Sequence, residues 1–336
     1  MSRASSQPGV WNLRLKRLVQ VGGPFLGLLL VALFFAFARD EFGESARKTV
    51  LSPGNLKTVL VQTVIVGIGA LGMTLVIVAG GIDLSAGSVV AFASVVGARL
   101  VVAGWPTAGV ALAAVAAGAA VGLVNGVLVA GFRLMPFIVT LGSMSIVRGL
   151  AKSIASNQAI SIPRQSPVIA LMAVDHPERF FPLPPGVWIM IALGALTALV
   201  LRQSIFGRHV VAIGSNEATA RLCGVRVRTT KVAVYALAGL CFGLAGLLQL
   251  ARLTQGAPTV AVGLELDIIA AVVIGGASLS GGTGSVLGAL VGAFLMALLR
   301  SGSTQIGWDN EVQEIIIGLV IVLAVGLDKW RQGKRT

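Results

Sequence analysis

Charged and hydrogen-bonding side chains are scarce in this chain, so those inside apolar stretches are the first candidates for chemistry. Asp83 and Asp267 sit at the edges of such stretches, and Arg148 is the deepest charge. A charge at a bilayer centre costs about 2.5–3.5 kcal/mol on insertion scales, so each needs a reason to be there. Three charges are few for a carrier driven by protons or sodium ions, which usually needs buried acids. Thr63, Thr74, Ser85, Ser88, Asn125, Thr140 and Ser145 offer neutral donors and acceptors instead. Together with Asp83 they could line a path that suits a sugar. They could equally bond to backbone carbonyls between helices. Covalent catalysis and metal binding find little support. His176 and His209 are the only histidines, which leaves no visible histidine metal site. Cys223 and Cys241 are too few and too isolated for a disulfide framework.

Two further patterns lose their chemistry to context. Gly67-Ile68-Gly69-Ala70-Leu71-Gly72 fits the dinucleotide fingerprint, but it lies inside an apolar span with no strand before it. Close packing of helices through small residues accounts for it better. Leu279-Ser280-Gly281-Gly282 is similar to the signature of ATP-binding-cassette ATPases, yet no G-x-x-x-x-G-K-[ST] occurs, so no P-loop is available to bind ATP.

The polar stretch from Gly207 to Lys231 is different. Ser215 to Gly224 reads as one short helix. Ser215 or Asn216 can cap its first free N–H groups. Glu217 lies near the positive end of the helix dipole and Arg221, four residues on, near the negative end. Ala220 falls between them, and Gly224 can end the helix in the left-handed conformation. Two turns are far below the ~12–15 residues that make a helix marginally stable alone. This helix therefore needs something to lie on, and a docking partner is the expectation.

The elements that position these residues follow from composition. The 336 residues are 56% hydrophobic and 12% charged, with a mean hydropathy of +0.91. Soluble domains carry about 25% charged residues, so an all-α integral membrane protein is expected. Ten spans can be drawn: Gly23–Ala38, Thr58–Ala79, Gly87–Val102, Thr107–Ala130, Pro136–Ala155, Val187–Leu201, Val232–Leu250, Leu266–Gly276, Ser285–Leu299 and Val312–Leu327. Residues 1–22 and 328–336 form basic tails around a membrane domain of 23–327, with a long polar loop at 156–186 and the basic loop at 202–231. The +13 net charge would suggest nucleic acid in a soluble chain. Here the basic residues cluster beside spans, as the positive-inside rule requires, so no nucleic-acid partner is expected. With the N-terminus inside, 15 of the 26 Lys and Arg residues fall in cytoplasmic segments, while ten of the 13 acids fall outside or on adjacent span ends. An even number of spans with both termini cytoplasmic is the reading that keeps both basic tails on one side. No cleavable signal peptide is visible, because no small-residue cleavage site follows the first apolar run.

A weak internal repeat is also present. The stretch Gly80-Gly81-Ile82-Asp83-Leu84-Ser85-Ala86-Gly87-Ser88 resembles Gly275-Gly276-Ala277-Ser278-Leu279-Ser280-Gly281-Gly282. Glycine-interrupted segments at matching positions of two halves point to a transport path.

Several stretches together resemble one family. They are residues 73–88, Asn125-Gly126, residues 136–142, the 207–231 loop and residues 274–285. The chain looks like the permease subunit of bacterial ribose-type sugar importers of the ATP-binding-cassette class, over about residues 55–325. The resemblance implies a bacterial inner (plasma) membrane location and a dimer with a second, identical or related permease copy. It also implies a separate cytoplasmic ABC ATPase that holds ATP and Mg, and a periplasmic sugar-binding protein. It assigns coupling to that ATPase to the 207–231 loop, where Ser215, Asn216, Glu217, Ala220, Arg221 and Gly224 fall on matching positions. Ser215 stands where many relatives have glycine, and Cys223 where serine is common. The chain itself is then a transport subunit, not an enzyme, with no cofactor of its own. Two alternatives stay open: a branched-chain amino acid permease of the same architecture, and an ion-coupled carrier working alone.

Overall fold

A computed structural model describes residues 10–38, 47–173 and 183–333. The helices are α1 (Val10–Phe37), α2 (Arg47–Val50), α3 (Pro53–Val78), α4 (Ala86–Val102), α5 (Thr107–Gly131), α6 (Pro136–Ile154), α7 (Pro185–Gln203), α8 (Ile205–Ser215), α9 (Glu217–Leu222), α10 (Val227–Leu253), α11 (Leu264–Ile274), α12 (Val286–Gln305) and α13 (Asn310–Gly333). Strand β1 (Ile160–Ser161) pairs antiparallel with β2 (Gln255–Gly256), Ile160 opposite Gly256, and clips the 156–184 connection to the end of α10. The ten expected spans fall on α1, α3 to α7 and α10 to α13. Six of these, α3, α5, α6, α7, α10 and α12, are long and apolar enough to cross a bilayer. The apolar part of α1 and helix α4 are shorter, and α11 has 11 residues.

Local chemistry sets the ends. Ser52 accepts a hydrogen bond from the Asn55 N–H at 3.2 Å, and Pro53 opens α3. Pro136 and Pro185 open α6 and α7 in the same way. Helix α3 is apolar all round and buried nearly throughout, so it is the central post of the domain. Helices α5, α6 and α7 keep most of their apolar surface uncovered, as lipid- or partner-facing helices do.

Small residues do the packing. Gly67, Gly69 and Gly72 face three different helices: a Cβ at each would lie 2.6 Å from Met190 Sδ of α7, 2.5 Å from Ile268 Cδ1 of α11 and 3.0 Å from the Ala238 backbone of α10. The dinucleotide-like pattern is thus the spacing that lets α3 touch three neighbours. Gly118, Gly122 and Gly126 of α5 press against α10, where a Cβ would strike the Gly239 and Tyr235 carbonyls and the Val232 backbone. Small residues every fourth position are the usual solution for close helix approach in lipid, where apolar burial gives no drive between helices.

Three features differ from the sequence reading. Helix α1 starts at Val10, inside the stretch read as a tail, and α13 runs to Gly333, inside the stretch read as the other tail. Residues 1–9 and 334–336 of those tails lie outside the described residues, as do 39–46 and 174–182 of the two polar connections. The 202–231 segment holds two helices rather than one, because Ser204 caps α8 by accepting from the Gly207 N–H at 2.9 Å. Basic and polar residues on one face of α8 hide an apolar face carrying Val210 and Ile213, which are buried.

Candidate functional site

The short helix expected at 215–224 is present as α9. Asn216 is its cap: its Oδ1 accepts from the Thr219 N–H at 2.9 Å. Ser215 instead ends α8 and donates its hydroxyl to the Val211 carbonyl at 2.8 Å. Gly224 follows α9 with φ of +82°, the left-handed conformation that closes a helix. Arg221 donates to Glu217 Oε1 at 2.9 Å, and Lys231 of α10 donates to Glu217 Oε2 at 2.6 Å. The Lys231 hydrogen bond, followed by the two positive charges, holds the Glu217 carboxyl below its usual value. Ala220 is buried with Ile213 and Val227, and this small cluster seats α9 on α8 and the start of α10. The seat answers the stability question raised by so short a helix.

What α9 turns outward is Leu222, 88% exposed at its last position. The sequence reading passed over this residue, because a leucine beside apolar spans carries no signal of its own. Beside α9, a cleft of about 490 Å³ is lined by Arg133, Arg221, Arg226, Arg228 and Lys231, with Glu217 as its single acid. An apolar knob beside a basic cleft is suited to docking an acidic protein surface.

The two repeat segments meet behind this helix. Helix α3 ends in Gly80 at φ +80°, with Gly80 N–H bonded to Ile77 O and Gly81 N–H to Val76 O, each at 2.9 Å. Helix α11 ends in Gly276 at φ +89°, with Gly276 N–H bonded to Val273 O at 2.9 Å and Ala277 N–H to Val272 O at 3.1 Å. Both are the same left-handed helix stop. Gly80 is therefore equivalent to Gly276, one residue off the pairing that the sequence suggests. The turns after them touch each other and the end of α8. The Gly282 N–H bonds to Val78 O at 2.9 Å, and a Cβ on Gly281 would lie 2.7 Å from Gly214 O and 2.9 Å from Gly80 Cα. A Cβ on Gly214 would collide with the Val78 carbonyl. Backbone thus meets backbone at one junction of α3, α8 and the 275–285 turn.

The polar residues expected along a path gather largely at the first turn. Asp83 Oδ1 accepts from the Ser85 N–H at 2.8 Å and from the Ser85 hydroxyl at 2.6 Å. Asn125 donates to Ser85 Oγ at 3.0 Å, and Ser88 donates to Ser85 O at 2.8 Å. Thr140 donates to Pro136 O at 2.9 Å, with Ile82 O at 3.4 Å. Thr63 and Thr74 bond to carbonyls of their own helix, Val59 O at 2.7 Å and Ala70 O at 2.6 Å. Of the seven residues singled out as path-lining, Ser145 alone is exposed. The network therefore fixes the shape of the 79–88 turn. Asp267, an edge acid in the sequence, forms a bidentate pair with Arg300 at 2.9 and 3.0 Å, joining α11 to α12. Among the described residues, no three His, Cys, Asp or Glu side chains come together as a metal site.

Comparison with known proteins gives the family. The family model described as "Branched-chain amino acid transport system / permease component" matches residues 55–325. A ribose import permease protein of Escherichia coli (strain K12) is 39% identical over 280 residues, 83% of this chain and 86% of the relative. An L-arabinose ABC transporter permease protein of Azospirillum brasilense is 33% identical, covering 99% of this chain and 93% of its own length. A fructose import permease protein of Rhizobium meliloti is 34% identical over 86% of this chain and 81% of its own. With the match running through α3 to α13 and the apolar helices these spans require, the chain belongs to the family of branched-chain amino acid transport system permease components, multi-pass membrane proteins.

Proposed function

We propose that this chain is the membrane-spanning permease subunit of an ATP-driven importer that moves a monosaccharide delivered by a periplasmic binding protein. The sugar permeases among its relatives support the solute class. The observation that carries the mechanism is the junction behind α9. A short, outward-facing helix sits on α8, and the end of α8 is wedged against the turns that close α3 and α11. A partner that displaces α9 would move both halves of the repeat at once. In this reading the partner is a separate ABC ATPase holding ATP and Mg. Ser215, Asn216, Glu217, Ala220, Arg221 and Gly224 shape and seat the helix that the ATPase grips, and Leu222 is its apolar contact. The chain supplies no covalent step. Membrane domain 23–327 would lie in the inner membrane with both basic tails in the cytoplasm, paired with a second permease copy. The family description names branched-chain amino acids, so uptake of labelled ribose, arabinose and fructose is to be run against labelled leucine. A tagged pull-down from mild detergent tests the assembly. An ABC ATPase recovered with the intact chain and lost on changing residues 215–224 supports it. A preparation without ATPase that transports on an ion gradient alone rejects it.

A further inference from the structure

Residues 257–263 join the end of α10 to α11 without regular structure. Helix α11 is 11 residues long, about 16 Å, roughly half the ~30 Å of a hydrocarbon core, so this segment reaches well below the membrane surface. Irregular backbone at that depth is tolerated where it is buried in protein or lines a water-filled cavity. Here one side of the segment is open: Thr259 is exposed and Val262 is 72% exposed. The backbone is also weakly tied. Within it Val260 N–H bonds to Ala257 O at 3.2 Å, and its other backbone bonds lie where α11 begins, from Leu264 N–H to Ala261 O at 3.4 Å and from the Leu266 and Asp267 N–H groups to Gly263 O at 3.0 and 3.3 Å. Ala261 is held at φ +60°, an uncommon conformation for a residue with a Cβ.

Arg148 of α6 supplies the missing ties. Its Nη1 donates to Pro258 O at 2.9 Å and Val260 O at 2.7 Å, and its Nη2 lies 3.5 Å from Ala261 O. Arg148 is six residues, about 9 Å, from the nearer end of α6, so it is the deep charge noted in the sequence. Glu265, in the first turn of α11, stands beside the same segment with its Oε2 buried and without a hydrogen bond. Behind the segment stands Gly87, where a Cβ would lie 2.5 Å from Ala261 O and would strike Glu265 Oε2. Gly87 is the second residue of α4, two after Ser85, at the end of the turn whose other end touches α8.

We propose that residues 257–263 are a gate on the transport path and that Arg148 is the positioning residue that latches it. The proposal rests on the importer reading for its driving force. Arg148 holds three carbonyls of one short strained segment, and Glu265 is the second partner to which it turns when the segment moves. The Gly87 contact passes motion of the 79–85 turn to the segment.

The test places Ala257→Cys, at a buried position of the segment, in the full chain in lipid nanodiscs. A charged maleimide labels the protein, and mass spectrometry reads positions 257 and 223 separately. The exposed Cys223 is the internal reference in the permease alone, where no ATPase covers α9. Arg148→Gln is expected to raise the labelling rate at 257 about tenfold or more, the factor that loss of one charge-assisted hydrogen bond makes in an opening equilibrium. Arg148→Lys, which keeps the charge but cannot bridge several carbonyls, is expected to fall between, with the labelling of Cys223 and the melting temperature unchanged. Should Arg148→Gln fail to fold, Gly87→Ala reads the same gate from behind, with a severalfold rise. Equal rates at 257 in all variants overturn the latch, and no labelling at 257 under any condition overturns the gate. The latch effect is read in the permease alone, so a missing ATPase would sink the importer reading and leave this result standing.

Discussion

The junction of α3, α8 and the 275–285 turn is built from backbone against backbone, whereas the 257–263 segment is held by one side chain. At the junction Gly80, Gly214 and Gly281 bring main chains directly into contact, and Gly282 lies against Ser215. Such a contact has no rotamer to relax through, so a push at one side moves the other. At the segment three carbonyls depend on the Arg148 guanidinium, which can let go and bind again. The first construction suits transmission and the second suits release.

The largest effect that would break the comparison is at Gly214. Gly214→Val puts side-chain atoms into the Val78 carbonyl and is expected to cost about 3 kcal/mol, at the upper end for overpacking. Val262→Ala, on the open side of the other region, should stay within about 0.5 kcal/mol. Thermal unfolding of both in detergent measures the contrast, and equal losses would show that the junction is not tight. Next in size, Leu222→Ser should weaken ATPase binding about tenfold, as loss of a buried apolar anchor of over 1 kcal/mol does, while the melting temperature of the permease alone holds. A titration of labelled ATPase against nanodiscs reads it. A smaller loss of about 1 kcal/mol is expected for Asn216→Ala, which removes the α9 cap. Amide exchange at Thr219 and Ala220 would report that fraying. Smallest is the pH response of Glu217. Its carboxyl is held below the usual 4.5, so its pairs with Lys231 and Arg221 are fully formed above that pH and are lost as pH falls through the lowered value. ATPase binding should therefore be flat between pH 8 and pH 6 as far as Glu217 is concerned, and a loss of its pairs within that window would contradict the geometry.

Much of this was legible beforehand, for local reasons. Apolar runs place ten helices, six of them long and apolar enough to cross a bilayer, and Asn216, Glu217, Arg221 and Gly224 announce α9 by cap, dipole and stop. What the sequence hid depends on distance along the chain. The acceptors of Arg148 lie 110 and 112 residues away, and Lys231 reaches Glu217 across 14. Helix α8 was hidden because Arg208, His209 and Ser215 made its stretch look like loop, although its buried face is apolar. The path residues Asp83, Ser85 and Asn125 were picked out by polarity within apolar surroundings, but polarity does not say whether a group faces an opening or another polar group. Three-dimensional contact turned that set into a network that shapes a turn.

The central claim is that motion enters through α9, and Ala220→Pro tests it most directly. Ala220 N–H bonds to Asn216 O at 2.9 Å, and proline at this position removes that bond and breaks the six-residue helix while leaving the spans alone. The measurement is ATP-driven sugar uptake and permease-stimulated ATP hydrolysis in proteoliposomes holding the complete importer. Loss of both, with the permease still folded and inserted, is the predicted result. Uptake and stimulation equal to those of the unaltered chain would contradict the account.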